Sequence, residues 1–268
     1  MIRDITIGQY YPAESVIHRL DPRVKLVGTL TFIISLFLHR SFLMYLVAAV
    51  FLTIVIKASK VPFRFMIKGL KAIMVLLLIT VVFNMFLTPG TPLIRIWKLT
   101  LTVEGVKQAA FMAIRLAFLI VGSSVMTLTT TPNHLTDGME KGLAPLNKLH
   151  VPVHEVSMIM SLALRFIPIL LEETDKIMKA QEARGADFDS GNLIQKAKSL
   201  VPLLVPLFIS AFRRANDLAM AMEARGYRGG EGRTKMKPLI YQKRDRMAYG
   251  VLLGYLAVMI LVGQFAPF

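Results

Sequence analysis

Residues 24–56 read VKLVGTLTFIISLFLHRSFLMYLVAAVFLTIVI. The run is apolar throughout except for His39-Arg40-Ser41 near its centre. At about 1.5 Å of rise per residue it is too long for one crossing of a roughly 30 Å hydrocarbon layer, and it suits two slightly short crossings joined by a tight polar turn. This reading sets the fold class, because no soluble core needs two such segments back to back.

Composition agrees. The 268 residues are 54% hydrophobic with a mean hydropathy of +0.56, yet the formal net charge is +15. Both hold in one chain only if the charges are segregated. Apolar stretches recur at 72–87, 106–129 and about 247–265, which brings the expected spans to five. Thr88-Pro89-Gly90-Thr91-Pro92 reads as a loop, and Trp97 shortly after it as an interfacial aromatic. The N-terminus has no apolar core of the signal-peptide kind, so insertion is expected to use the internal spans. The expected architecture is an all-α integral membrane protein: a four-span region over 1–130, a polar region of long amphipathic helices over 131–245, and a last crossing over 246–268.

The basic residues orient it. The N-terminus, the basic loop from Lys57 to Lys71 and the polar stretch from Thr130 to Arg246 together hold 27 of the 32 Lys and Arg, leaving Arg40, Arg95, Lys98, Lys107 and Arg115 elsewhere. The positive-inside rule puts the first group in the cytoplasm and the C-terminus outside. The lipid bilayer is the expected surface partner, and no nucleic-acid partner is expected.

The polar region carries a repeat. Glu182-Ala183-Arg184-Gly185 recurs 41 residues later as Glu223-Ala224-Arg225-Gly226. Each copy closes a helical pattern. Thr131-Pro132-Asn133 reads as a helix start, with a short segment running to about Leu149 and interrupted at Gly142 and Pro145. A helix from near Val153 has the stripe Ile159, Leu162, Phe166, Ile169, turns charged after Leu171 and ends at the first copy. After a break at 187–191, a helix from near Asn192 has the stripe Leu193, Ala197, Leu200, Leu204, Leu207, Ala211 and ends at the second. Pro168, Pro202 and Pro206 are expected to kink these helices. The apolar parts, 156–171 and 200–212, are short for crossings, and two more crossings would put the two arginines on opposite sides. Glycine is a good helix C-cap and a basic residue suits the C-terminal dipole, which accounts for either copy alone but not for four identical residues closing two successive helices. An arginine among small residues can enter a narrow groove and fork onto a carboxylate, so two such tips imply two equivalent grooves on a dimeric or pseudo-dimeric partner.

Catalytic signatures are missing. No phosphate-cradling loop occurs, so no ATP hydrolysis is expected of this chain. With no cysteine there is no thiol chemistry, and His154-Glu155 is followed by Met158 where a zinc motif needs histidine. No catalytic residue, metal site or cofactor is expected. Gly250-x-x-x-Gly254 offers a close-approach face in the last span. Arg115 within the fourth span faces the interior or snorkels to the outer surface.

The chain resembles the transmembrane T component of energy-coupling factor transporters, ATP-driven importers of vitamins and micronutrients. The resemblance rests on Tyr11-Pro12-x-x-Ser15-x-x-His18-Arg19-Leu20-Asp21-Pro22-Arg23-x-Lys25-Leu26, on Thr130-Thr131-Pro132, on Leu162-Ala163-Leu164-Arg165-Phe166-Ile167-Pro168 and on the two Ala-Arg-Gly copies. It implies that Ala183-Arg184-Gly185 and Ala224-Arg225-Gly226 dock into two homologous ATPase subunits, which bind the ATP. It also implies a separate membrane-embedded S component that binds substrate. Met158, Leu162, Phe166, Leu204 and Phe208 are candidates for its seat, and packing within the chain would use the same side chains. An ordinary ABC permease with its own substrate path is the alternative. It would need polar residues inside the spans, where Arg115 and Asn84 stand.

Overall fold

The computed structural model describes residues 10–38, 41–96, 99–186, 188, 192–229, 236 and 238–265. His39-Arg40, Trp97 and most of Asp187–Gly191 lie outside them. Among the described residues the regular structure is helical apart from one two-stranded ribbon, and the chain divides into two compact units, 140–238 and 8–139 with 239–268.

The second unit holds α1 (Pro22–Leu38), α2 (Phe42–Ser59), α3 (Phe63–Leu87), β1 (Pro92–Ile96), β2 (Leu99–Thr102), α4 (Val103–Thr129), most of α5 (Pro132–Leu143) and α9 (Lys243–Phe265). Each of the five apolar stretches read from sequence lies in one of these helices. The basic loop is shorter than expected. Lys57 lies in the last turn of α2, Lys60 caps it with a left-handed φ of 55°, and helix resumes at Phe63, so Arg64, Lys68 and Lys71 fall in the first turns of α3. Pro92 begins an antiparallel ribbon in which Arg95 pairs with Thr100 and Ile96 with Leu99. The ribbon is tied down at its base. The Thr91 N–H donates to Glu104 at 2.7 Å, and Thr102 both caps α4 and donates to the Thr88 carbonyl at 2.8 Å.

The core joins four membrane helices and the start of α3. It comprises Phe32 and Leu36 of α1, Met44, Tyr45, Ala48 and Leu52 of α2, Val121, Val125 and Leu128 of α4, and Tyr255 and Met259 of α9, with Val61 and Met66 below. In lipid, apolar burial alone does not drive helices together, so close packing and internal polar bonds do more of the holding. Both are present. The Phe51 and Tyr255 rings stack 4.1 Å apart, and the Tyr255 hydroxyl meets the buried Ser35 hydroxyl at 2.7 Å. Gly122 lets Phe32 lie against α4, since a Cβ there would stand 2.6 Å from Phe32 Cε1. Gly122→Val is expected to cost about 1–3 kcal/mol by overpacking, visible as a lower melting temperature in detergent. An unchanged melting temperature would contradict this packing. A Cβ at Gly250 or Gly254 meets open space, so no helix of this unit uses that face.

Arg115 points inward. It is 8% exposed, donates from Nε to the Tyr45 hydroxyl at 3.0 Å and stands 5.1 Å from the Phe37 ring centroid. Snorkelling is therefore excluded. The helix places this residue on the face shared with α2, where Tyr45 supplies the acceptor.

The N-terminal motif forms a clasp. The Tyr11 N–H donates to the Leu128 carbonyl at 2.9 Å, while His18 bonds both Ser15 and the Tyr11 carbonyl. Lys25 donates to the carbonyls of Thr129 and His18 at the end of α4 and in the clasp itself. Asp21 holds Arg23 in a two-pronged pair at 3.0 and 2.8 Å, and the Arg23 guanidinium lies 3.7 Å over the Tyr241 ring. Asp245, 1% exposed, accepts the N–H groups of Asp21 and Gln242 at 2.9 and 2.8 Å. The Gln242 contact is half of a capping box for α9; the Asp21 contact crosses 224 residues of sequence.

Candidate functional site

The unit spanning 140–238 contains the two helices that bear the repeat. α6 (Val153–Ala183) is one unbroken helix of 31 residues, about 46 Å long. The apolar 156–171, read from sequence as short, therefore belongs to a helix long and apolar enough to cross a membrane, as α2, α4 and α9 also are among the described residues. The second helix departs from expectation. It is broken into α7 (Leu193–Ser199) and α8 (Val201–Ala224). Pro202 has no N–H to continue the ladder and is tolerated in a first turn, so the helix restarts there. Pro168 and Pro206 stay inside continuous helices.

Both tips close identically. After α6, the Gly185 N–H donates to the Glu182 carbonyl at 2.9 Å and the Ala186 N–H to the Gln181 carbonyl at 3.0 Å. After α8, the Gly226 N–H donates to Glu223 at 2.8 Å and the Tyr227 N–H to Met222 at 3.0 Å. These are two Schellman caps, each with glycine in the left-handed position, at φ 87° and 70°. Nothing crowds either glycine, so backbone conformation and not space demands it. Arg184 and Arg225 are the two C-cap residues, with φ and ψ of −90° and 6° and of −89° and 8°. Both are exposed, and neither has an ion-pair partner among the described residues. The sequence repeat thus becomes a structural one: two outward guanidinium groups on matched, rigid caps.

α6 and α8 pack together. One contact was not legible in the sequence. Arg214 Nη2 lies 3.0 Å from Glu173 Oε2, joining the helices at positions 41 residues apart. Toward the other end of α6, Glu140 of α5 accepts from Ser157 at 2.9 Å and stands 3.1 Å from His154 Nδ1, so His154 is engaged within the fold.

The apolar halves leave much surface uncovered. On α8, Val201, Leu204, Val205, Phe208, Ile209 and Phe212 are exposed, Phe208 at 62%. The half-buried face of α8 follows Leu203, Leu207, Ala211 and Arg214, so Leu207 and Ala211 of the stripe read from sequence lie on it while Leu200 and Leu204 are exposed. Of the candidate seat residues, Leu204 and Phe208 are exposed while Met158, Leu162 and Phe166 are half-buried. The side chains of Leu193 and Ala197 lie outside the described residues.

Comparison with known proteins extends these observations. The family profile for cobalt transport protein, CbiQ, matches residues 13–236. A protein of Clostridium kluyveri, the energy-coupling factor transporter transmembrane protein EcfT, is 59% identical over 264 residues, covering 97% of each chain. The protein of the same name from Thermosediminibacter oceani is 53% identical over 98% of this chain and 99% of its own. That from Bacillus subtilis is 48% identical over 246 residues, 91% of this chain and 93% of its own.

Proposed function

The chain belongs to the family of energy-coupling factor transporter transmembrane proteins, and from that premise we propose that it is the scaffold turning ATP hydrolysis in two soluble subunits into movement of a separate substrate-binding membrane component. The observation that carries this is the matched pair of caps, each presenting an exposed, unpaired arginine at the end of a long helix. A guanidinium on a short, stiff tip forks onto carboxylates, and two equivalent tips suit two homologous ATPase subunits. The chain itself is non-catalytic and needs no cofactor; ATP is held by those subunits.

The mechanism is mechanical. Closure of the ATPase pair on ATP pulls the two tips, and α6 and α8 change their crossing angle. The exposed apolar face of α8 around Leu204 and Phe208, with the half-buried Met158, Leu162 and Phe166 of α6, seats the substrate-binding component and is remodelled as the helices turn. The cargo is a vitamin or micronutrient bound by that component. The protein sits in the cell membrane with its N-terminus and the 131–245 region cytoplasmic and its C-terminus outside, the orientation the basic residues favour.

A permease with its own substrate path is less well supported. Arg115 is engaged with Tyr45, and the Asn84 amide donates to the Thr80 carbonyl of its own helix. Both of these side chains are committed within the chain. Purification of the intact complex from native membranes tests the reading. Two nucleotide-binding subunits with a small hydrophobic subunit are expected; two nucleotide-binding subunits alone would favour the permease.

A further inference from the structure

We propose that the Glu173–Arg214 ion pair is the pivot of the α6–α8 crossing and positions the two arginine tips at equal reach. This rests on the coupling reading of those tips. The pair joins residues separated by 41, the same separation as the two Glu-Ala-Arg-Gly copies. Glu173 therefore stands in α6 where Arg214 stands in α8, each eleven residues before its arginine. When two repeated elements touch through equivalent positions, the local two-fold axis relating them passes through that contact, as in an isologous interface. The two arms beyond it are then equal, about 16 Å of helix each.

The chemistry suits a pivot. This is the sole ion pair between α6 and α8 among the described residues. Its side chains are 38% and 27% exposed, so the bond is partly screened and can re-form as the angle changes. Arg214 Nε is buried with no hydrogen-bond partner among the described residues, which leaves the guanidinium a spare donor at the crossing. Around it, half-buried positions include Ser210, Ala211 and Leu218 on α8 and Leu170, Thr174 and Ile177 on α6, small or aliphatic groups apart from Thr174 and the neighbouring Asp175, which makes no ion pair with α8 among the described residues. On a 16 Å arm, a change of roughly 20° in crossing angle moves a tip by about 6 Å. A small error at the pivot is thus amplified at the docking points.

The chain has no cysteine, so two spin labels can be placed without background. Labels at Lys179→Cys and Met220→Cys, exposed and equivalent in the two arms, report tip separation by pulsed electron paramagnetic resonance in the full transporter in nanodiscs. Glu173→Arg and Arg214→Glu each set like charges face to face. The labels stand six residues beyond the pivot, on arms of about 9 Å, so each reversal is expected to shift the distance distribution by about 3 Å and to lower transport roughly tenfold. The double swap, Glu173→Arg with Arg214→Glu, is expected to restore both. Glu173→Gln, which keeps shape and loses charge, is expected to broaden the distribution without the shift. Should a single reversal fail to fold, the double swap and Glu173→Gln carry the test. A double swap that leaves distance and transport impaired, or single reversals that leave the distance unchanged, would overturn the pivot. If distances respond and are restored while transport is indifferent to all variants, the pivot stands and the coupling reading fails.

Discussion

Replacing Arg184 and Arg225 together by alanine is expected to leave a folded membrane protein that no longer retains its ATPase subunits and no longer supports transport. On the coupling reading, each guanidinium seated against groove carboxylates makes a charge-assisted contact worth about 2 kcal/mol or more on truncation. One loss should weaken association about thirtyfold, and two about a thousandfold. Lysine at both positions should recover part of this, since it keeps the charge but not the planar fork. The folded chain itself should hardly notice, because both side chains are exposed and unpaired among the described residues; its melting temperature should match that of the parent. Gly185→Ala and Gly226→Ala act differently. At φ 87° and 70° an alanine costs about 1 kcal/mol and loosens the cap, so association weakens modestly while the arginine is still present. Co-purification of the ATPase pair and a transport assay in proteoliposomes check all four. Wild-type transport by the double alanine variant would sink the coupling reading.

The second large effect concerns the clasp. Asp245→Ala is expected to lower the melting temperature of the detergent-solubilised chain by roughly 10 °C. Its carboxylate accepts two backbone N–H groups in a site 1% exposed. Truncation strands both donors, at about 1–3 kcal/mol each, and releases Asp21 from the start of α9. Asp245→Asn keeps one acceptor oxygen and should fall between. A melting temperature within a degree of the parent would show that the clasp contributes nothing. Asp21 adds a pH dependence. Burial raises its pKa, but the Arg23 side chain, the Arg23 N–H and the nearby charges outweigh this and leave the carboxyl below its ordinary 3.8. Its contribution is therefore complete above about pH 4 and is lost as the pH falls through the lower folded-state value. In Asp21→Asn the acid-side loss of stability should be shallower.

Local signals were legible because their causes are local. Hydropathy placed α2, α4 and α9, each long and apolar enough to cross a membrane, since a crossing is decided by some twenty consecutive residues; the other two expected stretches lie in α1 and α3. Thr131-Pro132 started α5 as read, with the Thr131 hydroxyl accepting from the His134 N–H at 3.4 Å. The repeated Ala-Arg-Gly ended two helices because glycine alone takes the left-handed cap without strain. Where two local rules competed, the reading slipped. Pro202 was expected to kink a continuous helix and instead began a new one, and of the stripe beside it Leu207 and Ala211 are half-buried while Leu200 and Leu204 are exposed. The ribbon from Pro92 to Thr102 was missed because its strands are too short to show alternation.

By itself the sequence determined that this is a polytopic helical membrane protein with two matched arginine tips, since hydropathy, glycine and proline act within a few residues of themselves. Only the tertiary structure decided what meets what. Asp245 under Asp21, Arg115 against Tyr45 and Glu173 with Arg214 join residues 224, 70 and 41 apart. Such pairings depend on the path of the chain through space, and no pattern along a single helix encodes that path.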